Sequence, residues 1–276
     1  MTAQSLDTQR SVDLGWIRLG YDDVGTGEIP IVLLHGAGAG ATARGHFVAN
    51  IPVLAQRHRV IALDLPGFGR SDTYVMKADA RQTVNAAAIC GLLNVLGIER
   101  ANLVGYSLGG GAALTTAVDY PDMVHRMVLM GCQGTRSPLF GAQPTEGIKA
   151  LHAVYREPSI ETFRAFFDTM VYDGSMVSDA ILEERAHGVR QEHIDAWMAS
   201  QDAPHRSLAL ELDTVDVPTL IVHGRNDRVV PFESGIALLS ELPHSELHAF
   251  NRCGHWVQYE HAEVFNELVL NFFARD

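Results

Sequence analysis

The stretch Gly105-Tyr106-Ser107-Leu108-Gly109 constrains this chain more than any other. An apolar run, Ala101-Asn102-Leu103-Val104, leads into it, and a small-residue segment, Gly109-Gly110-Gly111-Ala112-Ala113-Leu114, leads out and reads as a helix. A strand that turns into a helix over so few residues leaves almost no room for side chains beside the apex, which accounts for the glycines. The apex serine is lifted above the sheet as a candidate nucleophile. A serine alone is a poor nucleophile, so the reading requires an acid and a base further along. Ser107, Asp227 and His255 supply the three in the order Ser, Asp, His.

Short, continuous apolar runs recur along the chain. They are Ile31-Val32-Leu33-Leu34, Val60-Ile61-Ala62-Leu63, Ala101 to Val104, Met127-Val128-Leu129-Met130, Thr219-Leu220-Ile221-Val222 and Leu247-His248-Ala249-Phe250. Runs of this kind belong to strands covered on both faces, as in a parallel sheet between helices. Residues 16–21 alternate and read as a strand before the turn at Gly25-Thr26-Gly27. Helical stretches lie between, at residues 83–96, 232–242 and 257–273. The alternation predicts an α/β fold, a mostly parallel central sheet flanked by helices.

One region breaks the pattern. From Gly134 to Ala209 no strand-like run occurs, while Ile160, Phe163, Phe166, Phe167 and Met170 recur at helical spacing, as does the stretch 180–190. Pro138, Pro144, Pro158 and Pro204 punctuate it. This predicts a helical cap over residues 134–209, inserted after the sixth strand, on a core made of residues 1–133 and 210–276.

Composition narrows the partners. With 21 Lys and Arg against 33 Asp and Glu the net charge is −12, and no basic run exists to neutralise phosphates, which argues against a nucleic-acid partner. Cys90, Cys132 and Cys253 are sparse and widely spaced, which points to a reducing compartment rather than a disulfide framework or a zinc site. No stretch approaches the roughly 18 apolar residues that span a bilayer, and residues 1–13 lack a signal-like apolar core. A cytoplasmic protein without a membrane partner or metal is expected.

Asp227 falls in His223-Gly224-Arg225-Asn226-Asp227, on the loop leaving a late strand, where an acid is needed to orient a histidine. His255 falls in Cys253-Gly254-His255-Trp256, after the last strand-like run and before the final helix. As a base it would take the Ser107 proton and return it to the departing group, with Asp227 holding its tautomer. The loop His35-Gly36-Ala37-Gly38 follows the first buried run and offers a backbone N–H to a developing oxyanion, the second coming from Leu108. It lacks the Lys-Ser/Thr ending of a phosphate loop. His35 reads as a residue that pins this loop, and Asp64 as structural. His58, His125, His244 and His261 read as surface or capping residues.

On these features the chain resembles the α/β-hydrolase fold over nearly its whole length. Its second half is similar to the meta-cleavage product hydrolases of bacterial aromatic degradation. The matching stretches are Glu146-Gly147-Ile148-Lys149, Tyr155-Arg156-Glu157-Pro158-Ser159, Tyr172-Asp173-Gly174-Ser175, Glu183-Glu184-Arg185 and Cys253 to Ala262. The resemblance implies hydrolysis of a carbon–carbon bond in 2-hydroxy-6-oxo-dienoates, a small-molecule substrate, no cofactor, and a homo-oligomer, dimeric or higher. It implies Ser107, Asp227 and His255 as the triad and Ala37 and Leu108 as the oxyanion-hole positions. Substrate contacts are implied for Gly36, Gly38, His46, Tyr106, Ser175, Arg185 and Trp256, with Arg185 on the carboxylate or enol end, since a guanidinium recognises carboxylate through a fork of N–H donors. Tyr106 and His46 stand where the family often has Asn. A carboxylesterase or lactonase on the same scaffold is the alternative, and a non-catalytic binding protein a third reading that the intact Ser, Asp and His oppose.

Overall fold

The computed structural model describes residues 8–132 and 143–275. Its strands are β1 (Gln9–Asp13), β2 (Arg18–Val24), β3 (Ile31–Leu34), β4 (Val60–Leu63), β5 (Ala101–Tyr106), β6 (Val124–Met130), β7 (Thr219–Gly224) and β8 (Ser245–Phe250). They form one sheet in the order β1-β2-β4-β3-β5-β6-β7-β8. The first two pairings, β1 with β2 and β2 with β4, are antiparallel, and all the others are parallel.

The helices are α1 (Ala43–His46), α2 (Ile51–Leu54), α3 (Arg81–Val95), α4 (Leu108–Asp119), α5 (Glu146–Arg156), α6 (Ile160–Met170), α7 (Asp179–His187), α8 (Gln191–Ala199), α9 (Glu233–Glu241), α10 (Val257–Glu260) and α11 (Ala262–Phe273). The apolar runs have no polar alternate because both sheet faces are covered. Ile31 and Leu33 join one core with Phe265 and Val269 of α11. Val32 and Leu34 point the other way, into a second core with Ile89 of α3 and Ala112 of α4. Every residue of β3, β4 and β5 is buried.

Parallel pairing sets the exits of the strands side by side. Leu34 lies opposite Gly105, Tyr106 opposite Met130, Met130 opposite Val222, and Gly224 opposite Phe250. The segments after these residues therefore emerge along one edge of the sheet, where α/β folds gather ligands. Ser107 is the tightest of these exits, with φ 52° and ψ −112°. A Cβ at Gly105 would lie 2.5 Å from the Gly109 carbonyl oxygen, and one at Gly109 would lie 2.2 Å from that of Leu34. Only glycine allows α4 to start so close to β3 and β5.

Helices α5 to α8 occupy the chain between β6 and β7. A Thr145 side chain caps α5, and Ser159 with Thr162 forms a capping box on α6. The apolar face of α6 buries Phe163, Phe166, Phe167 and Met170. The expected cap boundary at residue 134, and Pro138, lie outside the described residues.

Three details differ from the sequence reading. The single helix expected over 257–273 is two, α10 and α11, broken at His261 (φ −127°, ψ 45°). At that break the Glu260 carboxylate accepts from the N–H groups of Gly254 and Tyr172. Strand β8 is only partly buried, because it is an edge with one neighbour. Strand β1, polar in sequence, exists through its pairing with β2 at the other edge. Among the described residues no helix is long and apolar enough to cross a membrane.

The close approach at Gly109 is testable. Gly109→Ala forces a methyl group into backbone and should cost about 3 kcal/mol or more. Thermal unfolding should show this as a fall in Tm of about 6–12 °C. A Tm within about 2 °C of the parent would mean that the junction of β3, β5 and α4 can yield to an added methyl group.

Candidate active site

Ser107 is half-buried and lines a cavity of about 450 Å³ together with Gly36, Ala37, Tyr106, Leu108 and His255. The Leu108 N–H belongs to the first turn of α4, which has no intrahelical acceptor and carries the positive end of the helix dipole. Neither this N–H nor that of Ala37 is taken by another group among the described residues. Ile148, Leu151, Phe166, Met170 and Val229 give the cavity an apolar flank. Exposed His152, His205 and Ser207 edge its mouth.

Asp227 and His255 meet although 28 residues separate them. The His255 Nδ1–H donates to Asp227 Oδ2 at 2.7 Å, which leaves Nε2 as the free basic nitrogen. The carboxylate is fully engaged, since its Oδ1 accepts from the N–H groups of Val229 (2.8 Å) and Val230 (2.9 Å). Burial alone would raise the Asp227 pKa, but the charge of His255 and hydrogen bonds from His223 and His255 outweigh it. The carboxyl is held well below the usual carboxylate range. The backbone N–H of His255 donates to the Met170 carbonyl at 2.6 Å, tying the histidine to α6. Ser107 and His255 share the cavity without a direct hydrogen bond, a spacing common in unliganded sites that tightens with substrate.

The remaining expected residues divide. Arg185 is buried, and Nη2 donates to His46 Nε2 at 3.2 Å. Among the described residues no carboxylate lies within ion-pair distance of it. His46 is also buried. Its Nδ1–H donates to the Thr42 carbonyl (3.2 Å), and the Trp256 indole N–H donates to the His46 carbonyl (3.1 Å). Burial lowers the Arg185 pKa to about 10, and burial followed by the Arg185 charge holds His46 well below its ordinary value. His46 is thus neutral, with its proton on Nδ1. Arg185, His46 and Trp256 form a compact cluster beside the cavity, with the His46 ring against the lining residue Tyr106 at a centroid distance of 5.2 Å.

Two more of the expected contact positions do not line this cavity. Ser175 is exposed, away from the cavity, because Asp173 captures both its hydroxyl (2.6 Å) and its N–H (3.0 Å) in a short turn. Of the 35–38 loop, Gly36 and Ala37 line the cavity, while the Gly38 N–H donates to the Tyr155 hydroxyl (3.2 Å) and a Cβ at Gly38 would lie 3.5 Å from Arg185 Nη1. His35 pins the loop as read from sequence. Its Nδ1–H donates to the Gly36 carbonyl and its Nε2 accepts from the Leu65 N–H. Asp64 holds the Ala43 N–H and the Arg70 side chain.

One residue escaped the sequence reading. His223 is buried, its Nε2–H donates to the Val230 carbonyl (3.0 Å), and the same nitrogen is 3.3 Å from Asp227 Oδ2. It stands at the end of β7, four residues before the acid, and that position is its only signal in the sequence. No group of three or more His, Cys, Asp or Glu side chains among the described residues is arranged to hold a metal.

Residues 31–268 match the model of a family described as the alpha/beta hydrolase family. The chain is 41% identical over 266 residues to a 2-hydroxy-6-oxononadienedioate/2-hydroxy-6-oxononatrienedioate hydrolase of Burkholderia vietnamiensis, covering 94% of this chain and 92% of that one. A Pseudomonas putida protein of the same description is 43% identical over 263 residues, covering 93% and 91%. Among solved structures, the meta-cleavage product hydrolase CumD of Pseudomonas fluorescens, in a serine-to-alanine variant complexed with acetates, superposes with a TM-score of 0.83. It is 35% identical, over 96% of this chain and 97% of that one.

The depressed Asp227 pKa has a stability consequence with a definite sign. A carboxylate with a lowered folded pKa stabilises above its unfolded value, about 3.9, and loses that contribution as pH falls through the folded value. Denaturant titrations of the parent and of Asp227→Asn should therefore differ by a constant amount above about pH 5, and the gap should begin to narrow only as pH falls below about 4 toward the folded value. A gap that does not change with pH would remove the charge from the account.

Proposed function

The chain belongs to the alpha/beta hydrolase family and, within it, to the meta-cleavage product hydrolases, and on that basis we propose that it hydrolyses a carbon–carbon bond in a 2-hydroxy-6-oxo-dienoate. The observation that carries the choice of substrate is Arg185, a buried guanidinium with no carboxylate partner among the described residues, next to a serine–histidine–aspartate set. A buried cation left unpaired is costly unless a ligand completes it, and a dienoate brings the missing carboxylate. The relatives named for dienedioate hydrolysis act, by that name, on compounds of this class.

In this reading the substrate is bound with its acid end toward Arg185 and is first ketonised, so that electrons of the breaking bond can flow toward the 2-oxo group. His255 Nε2 takes the proton of Ser107 Oγ, and the oxygen adds to the remote C6 carbonyl. The N–H groups of Ala37 and Leu108 hold the resulting oxyanion. Cleavage of the C5–C6 bond sends its electron pair into the 2-oxo group, the proton held by His255 passes to the departing dienolate, and a 2-hydroxydienoate is left with an acyl group on Ser107. Water, deprotonated by His255, then releases the acyl group as a carboxylic acid and restores the serine. Asp227 keeps the imidazole in the required tautomer and stabilises its protonated form. Helices α5 to α8 act as a lid that excludes bulk water.

Disappearance of the yellow dienoate chromophore is the direct assay, run on a panel with alkyl, aryl and carboxyalkyl groups at C6. Arg185→Ala should lower kcat/KM for dienoates by about 10²–10³-fold, the effect of removing one partner of a buried, hydrogen-bonded charge pair. A carboxylesterase or lactonase would hydrolyse small neutral esters rapidly, leave the chromophore untouched and hardly respond to that substitution.

A further inference from the structure

The loop that carries Ala37 is held from two sides. On the core side, His35 Nδ1–H donates to the Gly36 carbonyl and Nε2 accepts from the Leu65 N–H. On the other side, the Gly38 N–H donates to the hydroxyl of Tyr155, which stands 117 residues further along in the last turn of α5. The loop packs against the nucleophile, since a Cβ at Gly36 would come within 3.3 Å of Ser107 Cβ. Only the two backbone dihedrals of Ala37 separate its own N–H from that of Gly38, so holding the second restricts where the first can point. Gly38, at φ 132°, has glycine's wide choice of angles, and nothing local fixes its direction. The hold therefore has to come from elsewhere in the chain.

Tyr155 is itself braced. It is 5% exposed, and its ring stacks on Trp197 of α8 with centroids 4.9 Å apart and an interplanar angle of 2°. The Arg81 guanidinium, in the first turn of α3, lies 4.3 Å from the Trp197 ring centre. Arg81 and the loop belong to the core, whereas Tyr155 and Trp197 lie on helices between β6 and β7. A line of contacts thus leaves the core at α3, crosses α8 and α5, and returns to the core beside Ser107. We propose that Tyr155 is a positioning residue of the oxyanion site, aiming the Ala37 N–H through Gly38, so that the site is complete only while α5 and α8 are seated on the core. The assignment rests on the serine-nucleophile part of the reading above, whichever acyl compound is the substrate. A donor aimed at the developing oxyanion contributes more to the transition state than to the bound substrate. Its displacement should appear in kcat and leave KM nearly alone.

Tyr155→Phe keeps the ring and its stack and removes only the accepting oxygen. It should lower kcat by about 10–100-fold with KM changed by about twofold or less, forfeiting part of what one oxyanion-hole donor supplies. Phenylboronic acid gives a second readout. Its boron takes the Ser107 oxygen while His255 takes the proton, and the tetrahedral adduct places an oxygen where the oxyanion forms. Its inhibition constant should rise by a factor similar to the fall in kcat. Val154→Ala, at a fully buried core position on the same helix, separates this effect from general loosening. It should lose stability and keep kcat within about twofold of the parent. A Tyr155→Phe protein that melts earlier yet keeps the parental kcat and boronate affinity would overturn the assignment, as would a Val154→Ala protein that loses kcat as severely. If the parent turns over neither a dienoate nor an ester and takes up no boronate, the serine-hydrolase reading fails first and this assignment with it.

Discussion

The contact between the start of α4 and the end of β3 is the constraint on which the rest of the architecture depends. It is a contact of backbone with backbone, possible only because position 109 lacks a side chain. It fixes where Ser107 can be and forces that residue into φ 52°. It also puts the first N–H groups of α4 beside the loop that carries Ala37. The exposed turn at Ser107, a positive helix end and a neighbouring main-chain N–H therefore come from one local close approach.

Charge is distributed around that junction with a clear asymmetry. The acid Asp227 is buried and saturated, with two main-chain donors on one oxygen and His255 on the other. The cation Arg185 is equally buried, but its hydrogen bonding goes to a neutral imidazole instead of an acid. A saturated anion is a rigid part and has little left to offer a ligand. An open cation has much to offer, and the unpartnered Tyr106 hydroxyl shares that condition. The two halves of the site thus differ in kind: one is closed on itself to orient a base, the other waits for an acceptor.

The order of Ser107, Asp227 and His255 is legible because each comes after an apolar run, and parallel strands must deliver their exit loops to one edge. The role of His35 is legible for the same reason. The positions of Ser175 and Gly38 are not, because they hang on local competitors that a sequence does not display. Asp173 takes the serine, and Tyr155, far away in the chain, takes the glycine N–H. His223 is hidden among thirteen histidines, and only folding places its nitrogen near Asp227. The split between α10 and α11 is hidden too, because no glycine or proline marks the break at His261.

Local sequence patterns carry the class of fold, the glycine elbow and three candidate reactive side chains. Apolar periodicity and glycine sterics act over a few residues and leave a readable trace. Tertiary structure alone decided which side chains face the cavity, which histidine stands behind the acid, and which polar groups are left without partners. Those outcomes depend on burial and on hydrogen-bond competition between segments distant in the chain, and neither has a local signature.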